Sequence, residues 1–264
     1  MGKRFELLAD MQANGTYHVF NRTNNKEILF RDEEDHLQFL HSYNRFLNGY
    51  LTTYAWALLP NHFHFVISVA DELAIRQLLR KLPTDTLTHM EKHFLLRKIE
   101  ITDLIRMQWA RLFISYSRYF NQKYGRQGNL FFRSFKRKTI ADYQQLRNTI
   151  VYVHLNPLKH AITPKWQTYK WSSWRTITAR KHTPVPLDLG AVLKLFDEPN
   201  AWIEEHTQQA LVWQNQPHAL PPATNTPSLP DAELIASDVM QRRRAMLFVP
   251  SIITTPTPSP IPSR

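Results

Sequence analysis

Two histidines one residue apart, His62 and His64, stand in the run Trp56-Ala-Leu-Leu-Pro-Asn-His-Phe-His-Phe-Val-Ile67. On a β-strand side chains alternate faces, so both imidazoles project from one face, and Phe63, Phe65, Ile67 and Val69 from the other. Two imidazoles side by side can bind a divalent cation; packed or exposed strand histidines are the ordinary alternative. A second chemical group lies far along the chain. In a helical pattern from Tyr143 to about Leu155, Tyr152 falls one turn before Asn156, with Gln145 and Asn148 on the same polar stripe. Leu146, Ile150 and Val153 form the opposite, apolar face. A phenol oxygen can attack phosphorus and form a covalent phosphotyrosine, which divides a transfer into two steps. A bound cation would offset the charge that develops on the phosphate. A half-buried aromatic is the plain alternative for Tyr152, and Tyr143 and Tyr169 are the other candidate nucleophiles.

The charge balance points the same way. The 264 residues hold 33 Lys+Arg against 22 Asp+Glu, a net +11 with a sequence pI near 9.9, which favours polyanionic partners. From Lys123 to Lys138 there are six basic residues and no acidic one, interleaved with Tyr124, Phe131, Phe132 and Phe135. Cations neutralise phosphates and aromatics stack on bases. Lys123, Arg126, Arg133, Lys136, Arg137 and Lys138, joined by Arg22, are therefore the candidate DNA contacts; a solvated basic loop is the competitor. The absence of cysteine removes disulfides, thiolate zinc sites and cysteine nucleophiles, and fits a reducing compartment. No apolar run reaches the length of a membrane span or the core of a signal peptide, so a cytoplasmic, nucleoid-associated location without membrane partners is expected.

The elements that must position these groups follow from caps and periodicity. Thr16–Arg22 reads as a strand. Asp32 caps a helix running to about Asn48, with Leu37, Leu40 and Leu47 as its stripe and Gly49 as its stop. Tyr50–Leu59 and His62–Val69 form an antiparallel pair about the Leu59-Pro60-Asn61 turn. Residues 71–123 read as helices in pieces (73–82, 87–99 and 104–123), a packing or partner-binding insertion. Gly125 and Gly128 mark a loop that leads into the basic–aromatic segment. Asp142 caps the tyrosine helix and Pro157 ends it. Weaker helical patterns cover 187–196 and 199–213. Beyond residue 214 the chain carries 10 of its 17 prolines and is expected to be mostly disordered, with a short helix around 231–247 that ends in Arg242-Arg243-Arg244.

Five segments in order make the chain resemble the HUH single-tyrosine transposases, and among them the REP-associated and IS200-like members. They are Tyr17-His-Val-Phe-Asn-Arg-Thr-Asn-Asn-Lys26, the Trp56–Ile67 run, Gly128-Asn-Leu-Phe-Phe-Arg-Ser-Phe-Lys136, Tyr152-Val-His-Leu-Asn-Pro-Leu-Lys-His160 and Tyr169-Lys-Trp-Ser-Ser173. The resemblance implies an α+β, ferredoxin-like antiparallel sheet with flanking helices over residues 1–180, including the helical insertion at about 71–123. A helical extension over 181–213 and the tail over 214–264 follow it. It implies His62 and His64 as metal ligands, Asn156 as the polar residue completing the site, and Tyr152 as nucleophile. It further implies Mg²⁺ or Mn²⁺, single-stranded DNA with palindromic hairpins, and a 5′-phosphotyrosine intermediate with a free 3′-OH. Monomers and homodimers both occur in such a family. A non-cleaving hairpin-binding regulator derived from a transposase is the alternative function. A zinc hydrolase is disfavoured, since no His-Glu-x-x-His is present.

Overall fold

The computed structural model describes residues 7–24, 27–179, 183–196 and 201–215. Its elements are β1 (Thr16–Arg22), α1 (Glu33–Leu47), β2 (Leu51–Leu59), β3 (His62–Val69), α2 (Glu72–Arg80), α3 (His89–Leu95), α4 (Ile101–Lys123), β4 (Lys136–Ile140), α5 (Tyr143–Lys159), α6 (Trp174–Ala179), α7 (Leu189–Lys194) and α8 (Ala201–Gln214). The four strands form one antiparallel sheet in the order β2-β3-β1-β4. With α1 between β1 and β2, and α4 between β3 and β4, this is the βαββαβ arrangement of a ferredoxin-like fold. The expected Pro-rich tail, its helix at 231–247 and the arginine run lie outside the described residues.

Local chemistry accounts for the elements at the site's edges. The Asp32 carboxylate accepts from Asp35 N and starts α1, whose first turn carries Glu33, Glu34 and Asp35 against the helix's positive end. Gly49 follows that helix at φ +83°, a conformation that side chains resist. Asp142 accepts from Gln145 N and starts α5. That helix does not stop at Pro157: it continues to Lys159, and Asn156 stays helical. Pro157 has no N–H to give the Val153 carbonyl, yet the turn continues past it, because the His160 N–H reaches the Asn156 carbonyl at 2.9 Å.

The sheet separates two cores. Toward α1 and α4 it presents Tyr17, Val19, Phe63, Phe65 and Ile67, which pack with Phe39, Tyr43, Trp109 and Tyr116. Because α4 packs in this core, only the stretch before it is additional to the basic fold; the expected insertion of 71–123 is thus partly core. Toward α5 the sheet presents Ala55, Ala57, Val66 and Ile140, which pack with Leu146, Ile150 and Val153.

The strand β4 differs from the sequence expectation of a basic–aromatic segment without regular structure. Lys136 and Lys138 are exposed while Arg137 and Ile140 are buried. An edge strand of this kind shows solvent-facing lysines, which protect it from unwanted pairing and hide its apolar alternation.

Helix α8 is tied to α5 and β2 by a buried polar chain. His206 Nδ1 donates to the Trp202 carbonyl (2.7 Å), so its Nε2 accepts from His154 Nδ1 (3.0 Å), and His154 Nε2 accepts from the Ser173 hydroxyl (2.7 Å). Every imidazole in that chain is neutral. Burial drives the His206 pKa down to about 3 and that of His154 well below 6.5. His36, stacked on Trp171 at 4.0 Å, is likewise driven by burial to about 4. The unfolded chain would take protons on these residues near pH 6.5, and the folded chain only near pH 4 or below. Stability is therefore full above pH 6.5 and falls as the pH drops toward 4, by up to about 1.4 kcal/mol per pH unit for each such histidine. Melting temperatures at pH 7.5 and 5 should show a clear drop at pH 5; a flat profile would contradict the neutral, buried chain.

Candidate active site

The sheet face toward α5 carries His62 and His64 of β3 with His18 and Phe20 of β1, where Phe20 pairs with His64 and Arg22 with His62. Their rings form a continuous group: His62–His64 and His18–His64 centroids are both 5.1 Å apart, and Phe20–His64 5.5 Å. A hydrogen bond assigns the His62 tautomer. His62 Nδ1 donates to Asn61 Oδ1 at 2.7 Å, which leaves a lone pair on Nε2. His64 Nδ1 lies 2.9 Å from His18 Nε2. With the proton on His64 Nδ1, its Nε2 also holds a lone pair, and that atom is buried without a hydrogen-bond partner. An orienting hydrogen bond on Nδ1 and a free Nε2 is the usual setting of a metal-binding imidazole.

Charge state agrees with this tautomer. Burial, with Lys138 adding repulsion, lowers the His18 pKa to about 4. Burial, then His160 and Arg22, lowers that of His62 to about 4, and burial followed by the neighbouring histidines holds His64 well below its ordinary value. All three rings are neutral at physiological pH.

Helix α5 closes over this face. Tyr152 stands edge-on to His64 (5.9 Å, 85°) and to His18 (5.8 Å, 73°). Two turns later His160 meets His62 at 4.7 Å. Asn156 lies between Tyr152 and His160 on the same flank of the helix. Its Nδ2 donates to the Tyr152 carbonyl at 2.8 Å, and its Oδ1 is buried with no partner. Two buried lone-pair atoms, His64 Nε2 and Asn156 Oδ1, are thus left unsatisfied beside the tyrosine, and buried polar atoms of this kind normally have partners. Among the described residues no group of three or more His, Cys, Asp or Glu could hold a metal ion. A set of His62, His64 and Asn156 has only two members of those types. The Lys159 ammonium lies 4.4 Å over the Tyr152 ring.

The other tyrosines are placed differently. Tyr143 is 81% exposed at the start of α5, three turns from the histidines, and Tyr169 donates its hydroxyl to the Leu58 carbonyl at 2.7 Å.

The basic residues divide into two sets. Lys123 is held by Asp32, Glu34 and Asp35 at 2.7, 3.1 and 2.9 Å. Arg126 pairs with Glu27 at 2.8 Å and bonds the Gly128 and Asn129 carbonyls. Arg137 is buried on the opposite sheet face, bonded to the Ala9 carbonyl. Through these partners the three fasten loops and strands. Arg22, Arg133, Lys136 and Lys138 remain exposed, with Arg22 stacked 4.9 Å over the half-exposed Phe132. Lys136 and Lys138 share the sheet face of the histidines, since they pair with Phe20 and His18.

Sequence reasoning missed His18, Lys159 and His160. The first had a signal: His18 and Phe20 alternate with buried residues in β1, as His62 and His64 do in β3. Lys159 and His160 lie seven and eight residues after Tyr152, hence near it on a helix that was expected to end sooner.

No family model and no curated protein matches this chain. Among solved structures, a REP-associated tyrosine transposase bound to a REP hairpin is 13% identical with a TM-score of 0.45, the match covering 67% of this chain and 91% of that one. A bacterial tRNA(His) guanylyltransferase (Thg1)-like protein in complex with GTP is 8% identical with a TM-score of 0.36, over 61% of this chain and 71% of that one. The same kind of protein in complex with ATP is 8% identical with a TM-score of 0.35, over 69% and 76%. No helix among the described residues is long and apolar enough to cross a membrane.

Proposed function

We propose that this protein is a metal-dependent transposase or single-strand DNA endonuclease that cuts and rejoins hairpin-containing DNA through a 5′-phosphotyrosine. The observation that supports this best is the placement of Tyr152 against His64, whose outward nitrogen is buried and unpartnered. His62, His64 and Asn156 would hold the cation through His62 Nε2, His64 Nε2 and Asn156 Oδ1. Two imidazoles and an amide oxygen suit Mn²⁺ at least as well as Mg²⁺. When bound, the cation polarises the scissile phosphate and offsets its developing charge.

The chain's own groups supply the rest. The Tyr152 oxygen attacks phosphorus, the bond from phosphorus to the 3′ oxygen breaks, and that oxygen leaves as a 3′-hydroxyl. Phenols are protonated at neutral pH, so the phenolic proton departs during attack and is matched by the one the 3′ oxygen takes up. Lys159 places a positive charge beside the forming aryl phosphate. Rejoining is the reverse, a 3′-hydroxyl displacing Tyr152. Arg22, Arg133, Lys136 and Lys138 would hold strand phosphates. The single-stranded hairpin partner, the choice between monomer and homodimer, and a cytoplasmic, nucleoid-associated location belong to the same proposal.

The test is covalent capture. Incubation with Mn²⁺ and labelled single-stranded hairpins from the genomic flanks should leave label on the protein in a denaturing gel, and chelation should prevent it. Tight hairpin binding with no adduct under any divalent ion would overturn strand transfer in favour of a non-cleaving regulator.

A further inference from the structure

The cleft beside Tyr152 has a volume of about 590 Å³, within the range of small-molecule pockets. One wall comes from the sheet and α5, including Phe20, Gln145 and Asn148; the other comes from α8, through Gln209 and Trp213. The α8 wall is unused by the reaction proposed above. Trp213 is half-buried and stands edge-on to Tyr152 at 6.0 Å and 80°. Three side-chain amides face the same space with uncommitted groups. Gln145 spends its carbonyl on Ala141 N, and Asn148 its carbonyl on Gln144, which leaves both NH₂ groups without a partner among the described residues. The Gln209 amide makes no hydrogen bond among the described residues. The acid in the lining, Glu205, is already paired with Arg147.

We propose that this cleft is a nucleobase pocket that takes one unpaired base of the nucleotide next to the phosphate attacked by Tyr152; the proposal rests on the strand-transfer reading of that tyrosine. The base stacks on Trp213, and its edge is read by Gln209, Gln145 and Asn148. Uncharged amides pair with base edges, and Lys138, which also lines the cleft, suits the phosphate next to the base. An aromatic face accepts any base, and one such stack changes affinity roughly 5- to 150-fold. Helix α8 thereby sets which base is accepted at the cutting position.

The test uses the full chain in EDTA, so that no strand is cut. Fluorescence anisotropy compares single-stranded dodecamers of dA, dC, dG and dT with an abasic dodecamer. The wild type should bind at least one base-bearing strand about tenfold tighter than the abasic strand. Trp213→Ala should erase that difference while leaving abasic binding unchanged, Trp213→Phe should retain it, and Gln209→Leu should narrow the spread among the four bases. Equal binding of abasic and base-bearing strands by the wild type would overturn the pocket, as would an equal loss on both in Trp213→Ala. The adduct assay separates the two proposals. Adduct without base discrimination removes the pocket alone, whereas discrimination lost in Trp213→Ala without any adduct removes strand cutting alone.

Discussion

Tyr152→Phe should reduce the covalent DNA adduct to background, a loss of about a thousandfold or more, while hairpin affinity stays within about twofold of wild type. The size follows from chemistry, because phenylalanine offers no oxygen to phosphorus and neither alternative tyrosine is placed to replace it. Tyr143 is 81% exposed away from the histidines, and the Tyr169 hydroxyl is engaged with the Leu58 carbonyl. The selectivity follows from packing. The Tyr152 hydroxyl makes no hydrogen bond among the described residues, so its removal orphans no partner. Its ring contacts with His18, His64, Trp213 and Lys159 survive in phenylalanine. Stability should therefore change by less than about 0.5 kcal/mol. Denaturing gels for the adduct and anisotropy for the hairpin give both numbers; an adduct yield in Tyr152→Phe within tenfold of wild type would remove Tyr152 as nucleophile.

His64→Ala carries the second large effect, and it can be read without turnover. In the wild type, saturating Mn²⁺ should raise the melting temperature, since a ligand that binds only the folded chain stabilises it by about 2.7 kcal/mol at a hundred times its Kd. His64→Ala should abolish that rise and lower adduct yield at least about a hundredfold. The folded chain itself should tolerate the change within about 1–2 kcal/mol. It loses ring contacts with His18 and Phe20 and the hydrogen bond to His18 Nε2, but it also loses a buried nitrogen that has no partner. Asn156→Ala should weaken the Mn²⁺ response for the same reason, through its unpartnered Oδ1. A metal-induced shift undiminished in His64→Ala would place the cation elsewhere or nowhere.

Much of the scaffold was legible along the chain. β1 was visible in its β-forming residues and β3 in its alternation, and the Pro60-Asn61 turn joined β2 and β3 as a hairpin. Asp32 and Asp142 marked the starts of α1 and α5 through side chains that accept from the backbone three residues on. The strand β4 was not legible, because an edge strand exposes Lys136 and Lys138 and loses the alternation that betrays a buried one. The end of α5 was misread because Pro157 reads as a stop, whereas the His160 N–H still bonds the Asn156 carbonyl and the helix runs on to Lys159.

At the site the division has the same physical basis. Sequence alone determined that His62 and His64 share a strand face and that Tyr152 and Asn156 share a helix flank, because periodicity and capping depend on residues only a few positions apart. Only the tertiary structure decided that the two faces meet, that His18 bonds the Nδ1 of His64, and that α8 brings Gln209 and Trp213 beside Tyr152. It also decided which cations are free. Lys123, Arg126 and Arg137 look identical to Arg133, Lys136 and Lys138 in a basic run. The Asp32, Glu27 and Ala9 that hold Lys123, Arg126 and Arg137, however, lie about 90 or more residues away in the chain, and pairing across such distances leaves no local pattern to read.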